Sequence, residues 1–377
     1  MMKAAFVDFI AIDQRVCQLT SSVETNMLFY LTPTNLASEK EKFFGALKKK
    51  EQYNPTFTYP SRNPLYAYFS ISPAFETYKR ELKELLPRLG SESLSLLYER
   101  KILDLFENME LIRSIGSPNF SENSKEYFGD VEKDTVSLAL EMLKKETVPD
   151  EKNVGAEKAV IEITTFLKSR KIPYKVVLKN SVAKFSVNHF TREITVSDEL
   201  CVSENELKRA IVHEIEAHIY RSLNGAIQPY MIFSKGLSKE TTETDEGLAV
   251  YVEKAQGVNL ESQLKNYAGR VIAIHTAQKK SFYETFEEMR KYFSEEDAYY
   301  LTLRAKRGTY DLGAGGAFVK DALYLKGMVS VEEFLKERQV WELYMGKYAI
   351  SDTPLVLDVD GLKKPKYLPG FASIKKK

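Results

Sequence analysis

Residues 212–219 read VHEIEAHI and hold two of the four histidines of this 377-residue chain. The zinc-peptidase signature H-E-x-x-H places its histidines four residues apart, so that both lie on one face of a helix. His213 and His218 are five residues apart, and in a regular α-helix their side chains would point about 140° away from each other. They can bind one ion only if the helix carries an extra residue between them, as a π-bulge does. The alternative is two ordinary helix histidines without a metal.

The residues around the pair favour the metal site. The flanking positions are strongly apolar and predict a buried helix: Ala210, Ile211, Val212, Ile215 and Ile219. Burying two imidazoles and a carboxylate costs free energy unless they have partners. Glu246, at the start of another helix further along the chain, can complete the His₂Glu ligand set of catalytic zinc sites. Asp245 and Glu243 are the alternative ligands.

The wider pattern predicts an α+β, mainly helical fold. Alternating residues at 174–180 and 184–198 predict strands, and the second stretch forms a hairpin around Asn188-His189. Ser203 and Glu206 then make a capping-box pattern at the start of the helix that carries His213 and His218, which we call the metal helix. Three parts are predicted along the chain: an N-terminal mostly helical lobe (1–150), a catalytic domain (151–350) and a C-terminal tail that we expect to be mobile (351–377).

The N-terminal lobe is mixed in pattern. Residues 38–50 predict a charged helix, and residues 76–111 show helical spacing that is broken near Pro87. Residues 65–72, LYAYFSIS, predict a strand. The stretch 114–129, which contains several Ser, Asn and Gly residues, predicts a loop.

Composition limits the classes of partner. The net charge is +1, which gives no electrostatic reason to expect a nucleic acid or an anionic membrane. The two cysteines, Cys17 and Cys201, are too few for a disulfide scaffold. No run of about twenty apolar residues predicts a membrane span. We therefore expect a protein of the reducing cytoplasm, and its oligomeric state is left open.

Two motifs of this chain resemble a known family. HEIEAH at 213–218, with DEGLA at 245–249, resembles the microtubule-associated tyrosine carboxypeptidase family, whose members combine an H-E-x-x-x-H helix with a downstream Glu-Gly-Leu-Ala segment. Further matches between residues 155 and 345 are RSLNGAIQPY, RVIAIHTAQKKSFYETFEEM, LTLRAKRG and FVKDALYLKG. The family usually has Gln where Asp245 stands and a small residue where Glu216 stands. An added carboxylate can alter metal affinity or substrate choice.

The residues and the resemblance imply the same catalytic roles. His213, His218 and Glu246 would hold Zn²⁺, because nitrogen and oxygen ligands without a thiolate favour zinc, and would leave one position open for water. Glu214 would act as the general base. The resemblance further implies a zincin-like, gluzincin-type metallopeptidase domain with a small antiparallel sheet beside the active-site helix.

A carboxypeptidase also needs a fixed cation for the terminal carboxylate of its substrate. The candidate cations are Arg304, Arg307, Lys320 and Arg221. Each has a structural ion pair as its alternative. Tyr324 and Tyr310 are candidate donors to the oxyanion. The 184–198 hairpin lies in the chain order in which zinc peptidases hold the substrate backbone by strand addition, and His189 at its tip is predicted to be solvated.

The leading functional hypothesis is a zinc-dependent carboxypeptidase that hydrolyses the C-terminal peptide bond of a peptide or protein and releases an aromatic or acidic residue. One alternative is a zinc metallopeptidase that acts at the amino end or internally, which would need a carboxylate in its cleft to hold an ammonium group. The other is a catalytically silent, metal-stabilised interaction or regulatory protein.

Overall fold

The architecture is mainly helical with two small sheets, which confirms the α+β prediction. A computed structural model describes residues 7–24, 27–60, 71–146, 151–179, 184–189, 191–258 and 261–372. Within these ranges no helix combines the length and the hydropathy that crossing a membrane requires.

Seven helices precede the first strand in the described part of the chain. They are α1 Phe9–Glu24, α2 Met27–Leu31, α3 Leu36–Lys48, α4 Ile71–Leu85, α5 Ser93–Ser114, α6 Phe120–Phe128 and α7 Lys133–Leu143. The elements that follow are β1 Val154–Gly155, α8 Ala156–Ser169, β2 Lys175–Lys179, β3 Phe185–Asn188, β4 Glu193–Ser197, β5 Cys201–Val202 and α9 Glu204–Ile211. After the π-helical segment Val212–Ile219 come α10 Tyr220–Ala226, α11 Thr241–Ala255, α12 Glu261–Ala277, α13 Phe282–Met289, α14 Glu295–Lys306, α15 Leu323–Glu337 and α16 Thr353–Leu357.

The sheet beside the metal helix has the strand order β2-β4-β3 and is mixed. β3 pairs antiparallel with β4, as the hairpin pattern predicts, but β2 pairs parallel with β4, so the fully antiparallel prediction is wrong. β4 is the central strand, and its residues Ile194 and Val196 are buried in the core that also contains the metal helix. Among the described strands β3 bonds only to β4, and its outer edge is therefore free.

Two predictions in the N-terminal lobe turn out differently. The break at Pro87 is confirmed as a 3₁₀ turn between α4 and α5. The predicted loop at 114–129 contains α6, because Phe120 and Phe128 each pack their rings 5.7 Å from the ring of Phe318. Most of the predicted strand at 65–72 lies outside the described residues, and its last two residues begin α4.

Hydrophobic packing forms two cores that do not follow chain order. The larger core joins residues between Ile12 and Leu143 to residues between Ile232 and Val356. The smaller core contains the sheet, the metal helix and part of α11. The predicted boundary near residue 150 stays a prediction.

The segment that we expected to be mobile packs against the protein as far as residue 372. The side chain of Asn224 accepts hydrogen bonds from the backbone N–H groups of Lys366 and Tyr367 and donates one to the carbonyl of Tyr367. The ring of Tyr367 also packs 5.5 Å from the ring of Tyr220. These contacts supply the order that composition alone does not predict.

Candidate metal centre

The helix that carries both histidines contains the predicted local distortion. Residues Val212–Ile219 form a π-helix between α9 and α10. Because a π-turn contains an extra residue, positions five apart come close to one another. The ring centroids of His213 and His218 lie 4.9 Å apart. The alternative of a regular helix with the two rings pointing apart is therefore wrong.

Local contacts define where this helix begins and which face it buries. The hydroxyl of Ser203 accepts a hydrogen bond from the Glu206 backbone N–H at 3.0 Å, which caps the first turn of α9. Val212, Ile215 and Ile219 join the smaller core, opposite apolar residues of β4 and α11. The helix is thus packed between the sheet and α11.

Glu246 on α11 faces both histidines. Its Oε2 atom lies 3.7 Å from Nε2 of His213 and 3.7 Å from Nε2 of His218. The three side chains each offer one ligand atom, and these atoms lie within 4.8 Å of one another. Among the residues that the structure describes, this is the group of three or more such side chains that is suited to a metal ion.

Gly247 explains how Glu246 reaches this position. At the crossing of α11 and α15, a Cβ atom on Gly247 would lie 2.0 Å from the carbonyl carbon of Gly327. A Cβ on Gly327 would lie 2.1 Å from the Glu243 carbonyl oxygen. Only two glycines allow the backbones to approach this closely. The glycine that follows Glu246 is therefore needed for helix packing.

Substituting Gly247 by alanine is expected to lower both stability and metal affinity. The added methyl group meets backbone atoms that cannot move aside, so α11 and α15 must separate at a cost of about 1–3 kcal/mol, and Glu246 moves with α11. Thermal unfolding and zinc titration measure the two effects. Gly45→Ala is the matched control, because no atom lies within 4 Å of its added methyl group. Unchanged unfolding and zinc affinity in Gly247→Ala would contradict this account of the crossing.

Each histidine has a carboxylate partner on α11. Nδ1 of His213 lies 2.7 Å from Oε1 of Glu253, and Nδ1 of His218 lies 3.2 Å from Oδ2 of Asp245. Such outer partners orient a ligand histidine and direct its other nitrogen towards the ion. Helix α11 thus supplies one candidate ligand and both orienting carboxylates.

The donor set fits a divalent cation. Oε2 of Glu246 is buried and accepts no hydrogen bond, although it lies between two imidazole nitrogens. Burial lowers the pKa of His213, but the nearby carboxylates of Glu246 and Glu253 outweigh burial and raise it to about 10. Burial raises the pKa of Glu246, yet His213, His218 and Lys320 hold it well below its usual value. The cluster therefore favours positive charge between its donors.

Glu214, next to the first histidine, faces a groove of about 350 Å³. Phe185 of β3, Arg270 of α12 and Arg304 of α14 line the same groove. The groove brings together three carboxylates, three guanidinium groups and the edge strand. A peptide lying in it would pass directly beside Glu214.

Three arginines gather around the buried carboxylate of Asp321. Burial raises the pKa of Asp321, but Arg304, Arg307 and Arg270 together hold it well below its usual value. Arg304 donates to Oδ2 of Asp321, and Nη2 of Arg307 lies 4.0 Å from Oδ1. One Nη atom of Arg270 is buried and lacks a hydrogen-bond partner. Arg270 was not among the predicted cations because it lies on an otherwise apolar stretch of α12.

Tyr324 lies beside the metal centre. Its ring stacks on that of His213, with centroids 6.3 Å apart and an angle of 18°, and the Arg270 guanidinium lies 4.4 Å from its centroid. The other tyrosine considered, Tyr310, is 66% exposed, and none of the pockets described here includes it.

Two candidates from the sequence have structural partners instead. Arg221 is 0% exposed, and its guanidinium donates to the carbonyls of Leu343, Gly346 and Tyr348 and to Asp245. It cannot reach a substrate, so its assignment to substrate binding is wrong. Glu243, an alternative ligand, accepts from Ser330 and pairs with Lys326.

His189 is not solvated as predicted. It is half-buried, and its Nδ1 lies 2.9 Å from the hydroxyl of Tyr174. Burial, followed by the charges of Lys347 and His218, holds its pKa well below the usual value. The hairpin thus brings a third histidine near the metal centre. Because the chain has only four histidines, this scarcity was the feature of the sequence that could have marked His189 as a residue near the site.

Glu216 points away from the candidate ligands. Its Oε2 accepts hydrogen bonds from the Gln256 side chain and, at 3.2 Å, from the backbone N–H of Gly370. These hydrogen bonds go to residues other than the candidate ligands, so they do not support the expectation that this carboxylate alters the metal site directly.

Comparison with known proteins agrees with the geometry. The family model for microtubule-associated tyrosine carboxypeptidase matches residues 41–377. The chain is 24% identical to microtubule-associated tyrosine carboxypeptidase 1 of Homo sapiens over 359 residues, which are 93% of this chain and 65% of the relative. For the Rattus norvegicus protein of that name the identity is 25%, over 86% of this chain and 61% of the relative. The putative tyrosine carboxypeptidase MATCAP2 of Mus musculus is 27% identical over 44% of this chain and 33% of its own length.

Fold and site define a mainly helical protein with a His₂Glu cluster on a π-distorted helix. Because the family model covers most of its length, the chain belongs to the microtubule-associated tyrosine carboxypeptidase family. It spans less than two thirds of the length of the human and rat relatives.

Proposed function

We propose that this protein is a zinc-dependent metallocarboxypeptidase with a zincin-like catalytic domain. It would hydrolyse the C-terminal peptide bond of a peptide or protein. The observation that carries the proposal is the convergence of His213, His218 and Glu246 beside a groove that contains Glu214. The names of the relatives support the carboxypeptidase reading.

The residues divide the chemistry between them. His213, His218 and Glu246 would hold Zn²⁺, which when bound lowers the pKa of water and polarises a carbonyl. Glu214 takes the proton of the attacking water and passes it to the leaving amine. Tyr324, stacked on His213, is in reach of the same region and is the candidate donor to the carbonyl oxygen.

The terminal carboxylate of the substrate is assigned to Arg270 and Arg304. Both line the groove with Glu214, and a guanidinium can bind a carboxylate with two parallel hydrogen bonds. Arg307 does not line this groove, and its guanidinium lies 5.2 Å from the centroid of the Phe318 ring. The general base and the cation that binds the terminal carboxylate must lie in one cleft, because both act on the last residue of the substrate. Arg270 and Arg304 meet this requirement, since they line the groove with Glu214.

Lys320 is the second candidate cation. Its Nζ lies 3.8 Å from Oε1 of Glu246, and it lines a different cavity, of about 240 Å³. That cavity also contains Lys101, Lys235 and Lys347 but not Glu214. Lys320 thus stays the second candidate, next to Glu246 in a cavity that Glu214 does not line.

Strand β3 is assigned to the substrate backbone. Its outer edge is free among the described strands, and Phe185 on this strand lines the groove. An extended peptide can add to such an edge with main-chain hydrogen bonds. This would hold the scissile bond beside Glu214.

The groove favours a substrate carboxylate over a substrate ammonium group. Its acidic side chains other than Glu214 have partners: Glu206 pairs with Lys184 at 2.6 Å, and Asp297 accepts from the Ser294 hydroxyl at 2.7 Å. Arg270 retains a donor without a partner. The amino-end alternative would need the opposite balance of charge.

Matched peptides test the proposed function. The zinc-loaded protein should release the last residue of an N-acetylated peptide that has a free C-terminus, and should leave its C-terminal amide intact, because only the former carries the carboxylate that the arginines bind. Peptides that vary the last residue define the preference, and metal analysis establishes the ion. Cleavage of the amide at an equal rate would contradict a carboxypeptidase.

A further inference from the structure

A segment near the end of the chain follows the metal helix along one side. We call residues 363–371 the strap. Gln228 accepts from the Lys363 backbone N–H at 2.7 Å, and Asn224 accepts from the next part of the strap at 2.9 Å. Glu216 accepts from the Gly370 N–H at 3.2 Å. Glu216, Tyr220, which packs on Tyr367, and Asn224 are four residues apart on the helix, so the strap contacts it about once in every turn. Gln228 follows two residues after the end of α10.

The last of these contacts lies inside the π-helical segment. Glu216 stands between the two candidate ligands His213 and His218, and it is 4% exposed. Its carboxylate receives hydrogen bonds from the strap and from Gln256, which caps the end of α11. Its backbone carbonyl accepts from the Tyr344 hydroxyl at 2.9 Å. Three separate parts of the chain thus hold this one residue of the bulge.

The bulge needs such restraints because its position decides where His218 points. If the extra residue moved beyond His218, the ring would rotate by about 100° per residue relative to His213 and leave Glu246. The two hydrogen bonds to the Glu216 carboxylate are made only in the observed register. They favour it without touching the ligand atoms.

We propose that Glu216 and the strap are positioning elements for His218, which hold the rotational register of the metal helix and thereby raise its metal affinity. The proposal rests on the proposed metal site. It also accounts for a carboxylate that is buried at this position of the helix. The glutamate has partners in the strap and in α11, so its burial is compensated.

Two measurements test this proposal. Chelator competition gives the zinc affinity, and the absorption spectrum of the Co²⁺ form reports the geometry of the ligands. Glu216→Ala and a chain that stops at Leu362 should each bind zinc about 10–100-fold more weakly, as on loss of an outer partner of a ligand, with an altered Co²⁺ spectrum. Glu216→Gln should retain most of the affinity, because its amide oxygen can accept both hydrogen bonds. A chain that stops at Ala372 keeps the strap and is the matched control for the truncation.

The outcomes separate positioning from stability and from charge. Thermal unfolding of each metal-free variant shows whether it is folded. If the chain that stops at Leu362 does not fold, the Glu216→Ala variant alone tests the proposal. A folded Glu216→Ala protein with unchanged zinc affinity and an unchanged Co²⁺ spectrum would overturn the proposal. Equal losses in Glu216→Gln and Glu216→Ala would also overturn it, since they would assign the effect to charge. If the unaltered protein binds no zinc, both the proposed function and this proposal fail. If it binds zinc and the variants bind zinc equally well, only the positioning proposal fails.

Discussion

Glu214→Gln is expected to lower kcat for release of a C-terminal residue by about 10²–10⁴-fold, the usual contribution of a general base. The amide cannot take the proton of the attacking water, although it has the same shape and can occupy the same groove. Zinc content is expected to stay unchanged, because Glu214 is not among the three converging ligand side chains. Steady-state kinetics and metal analysis on the same preparation measure the two quantities.

Glu243→Gln is the matched control for this variant. It makes the same chemical change on α11, but its carboxylate pairs with Lys326 and Ser330, away from the groove. It should keep both activity and metal. If Glu214→Gln retains full activity, another group must move the proton. If neither protein has activity while both bind zinc, the catalytically silent alternative gains support.

His218→Ala is expected to remove both zinc and activity. The loss of one of three ligands should weaken binding by more than the approximately 10–100-fold that follows loss of an outer partner. It also leaves Glu246 buried with one imidazole fewer to compensate its charge. Equilibrium dialysis against zinc and the peptide assay provide the measurements.

The control for His218→Ala is His275→Ala. His275 lies on α12, outside the candidate ligand cluster, and is half-buried as a structural residue would be. Its substitution should leave zinc content unchanged. Full zinc occupancy in both His218→Ala and the corresponding His213→Ala variant would show that the ligand assignment is wrong.

The candidate ligands could be predicted because they lie in two short, local motifs. The five-residue spacing of His213 and His218 demands a π-bulge if they share an ion, and the structure contains that bulge. Glu246 is recognisable from the Glu-Gly-Leu-Ala segment, whose glycine allows close approach to α15. The strands of the hairpin were predictable from alternation alone.

The surroundings of the site could not be predicted because they depend on contacts between distant segments. Arg221 resembles a substrate-binding cation in the sequence, but only the packing of residues 343–348 around it shows that it is buried. Arg270 was not among the predicted cations, yet it lines the groove. His189, predicted to be a solvated tip residue, is half-buried with its Nδ1 2.9 Å from the Tyr174 hydroxyl.

By itself, the order of residues determined the mainly helical class, the candidate metal-ligand triad and the distortion that such a triad requires. These follow from spacing and residue chemistry within a few turns of helix. Only the tertiary structure decided which cations face the groove, which carboxylates orient the histidines and where the strap docks. Those choices depend on how far apart side chains lie in space, and burial converts the same arginine or glutamate from a solvated charge into a structural partner.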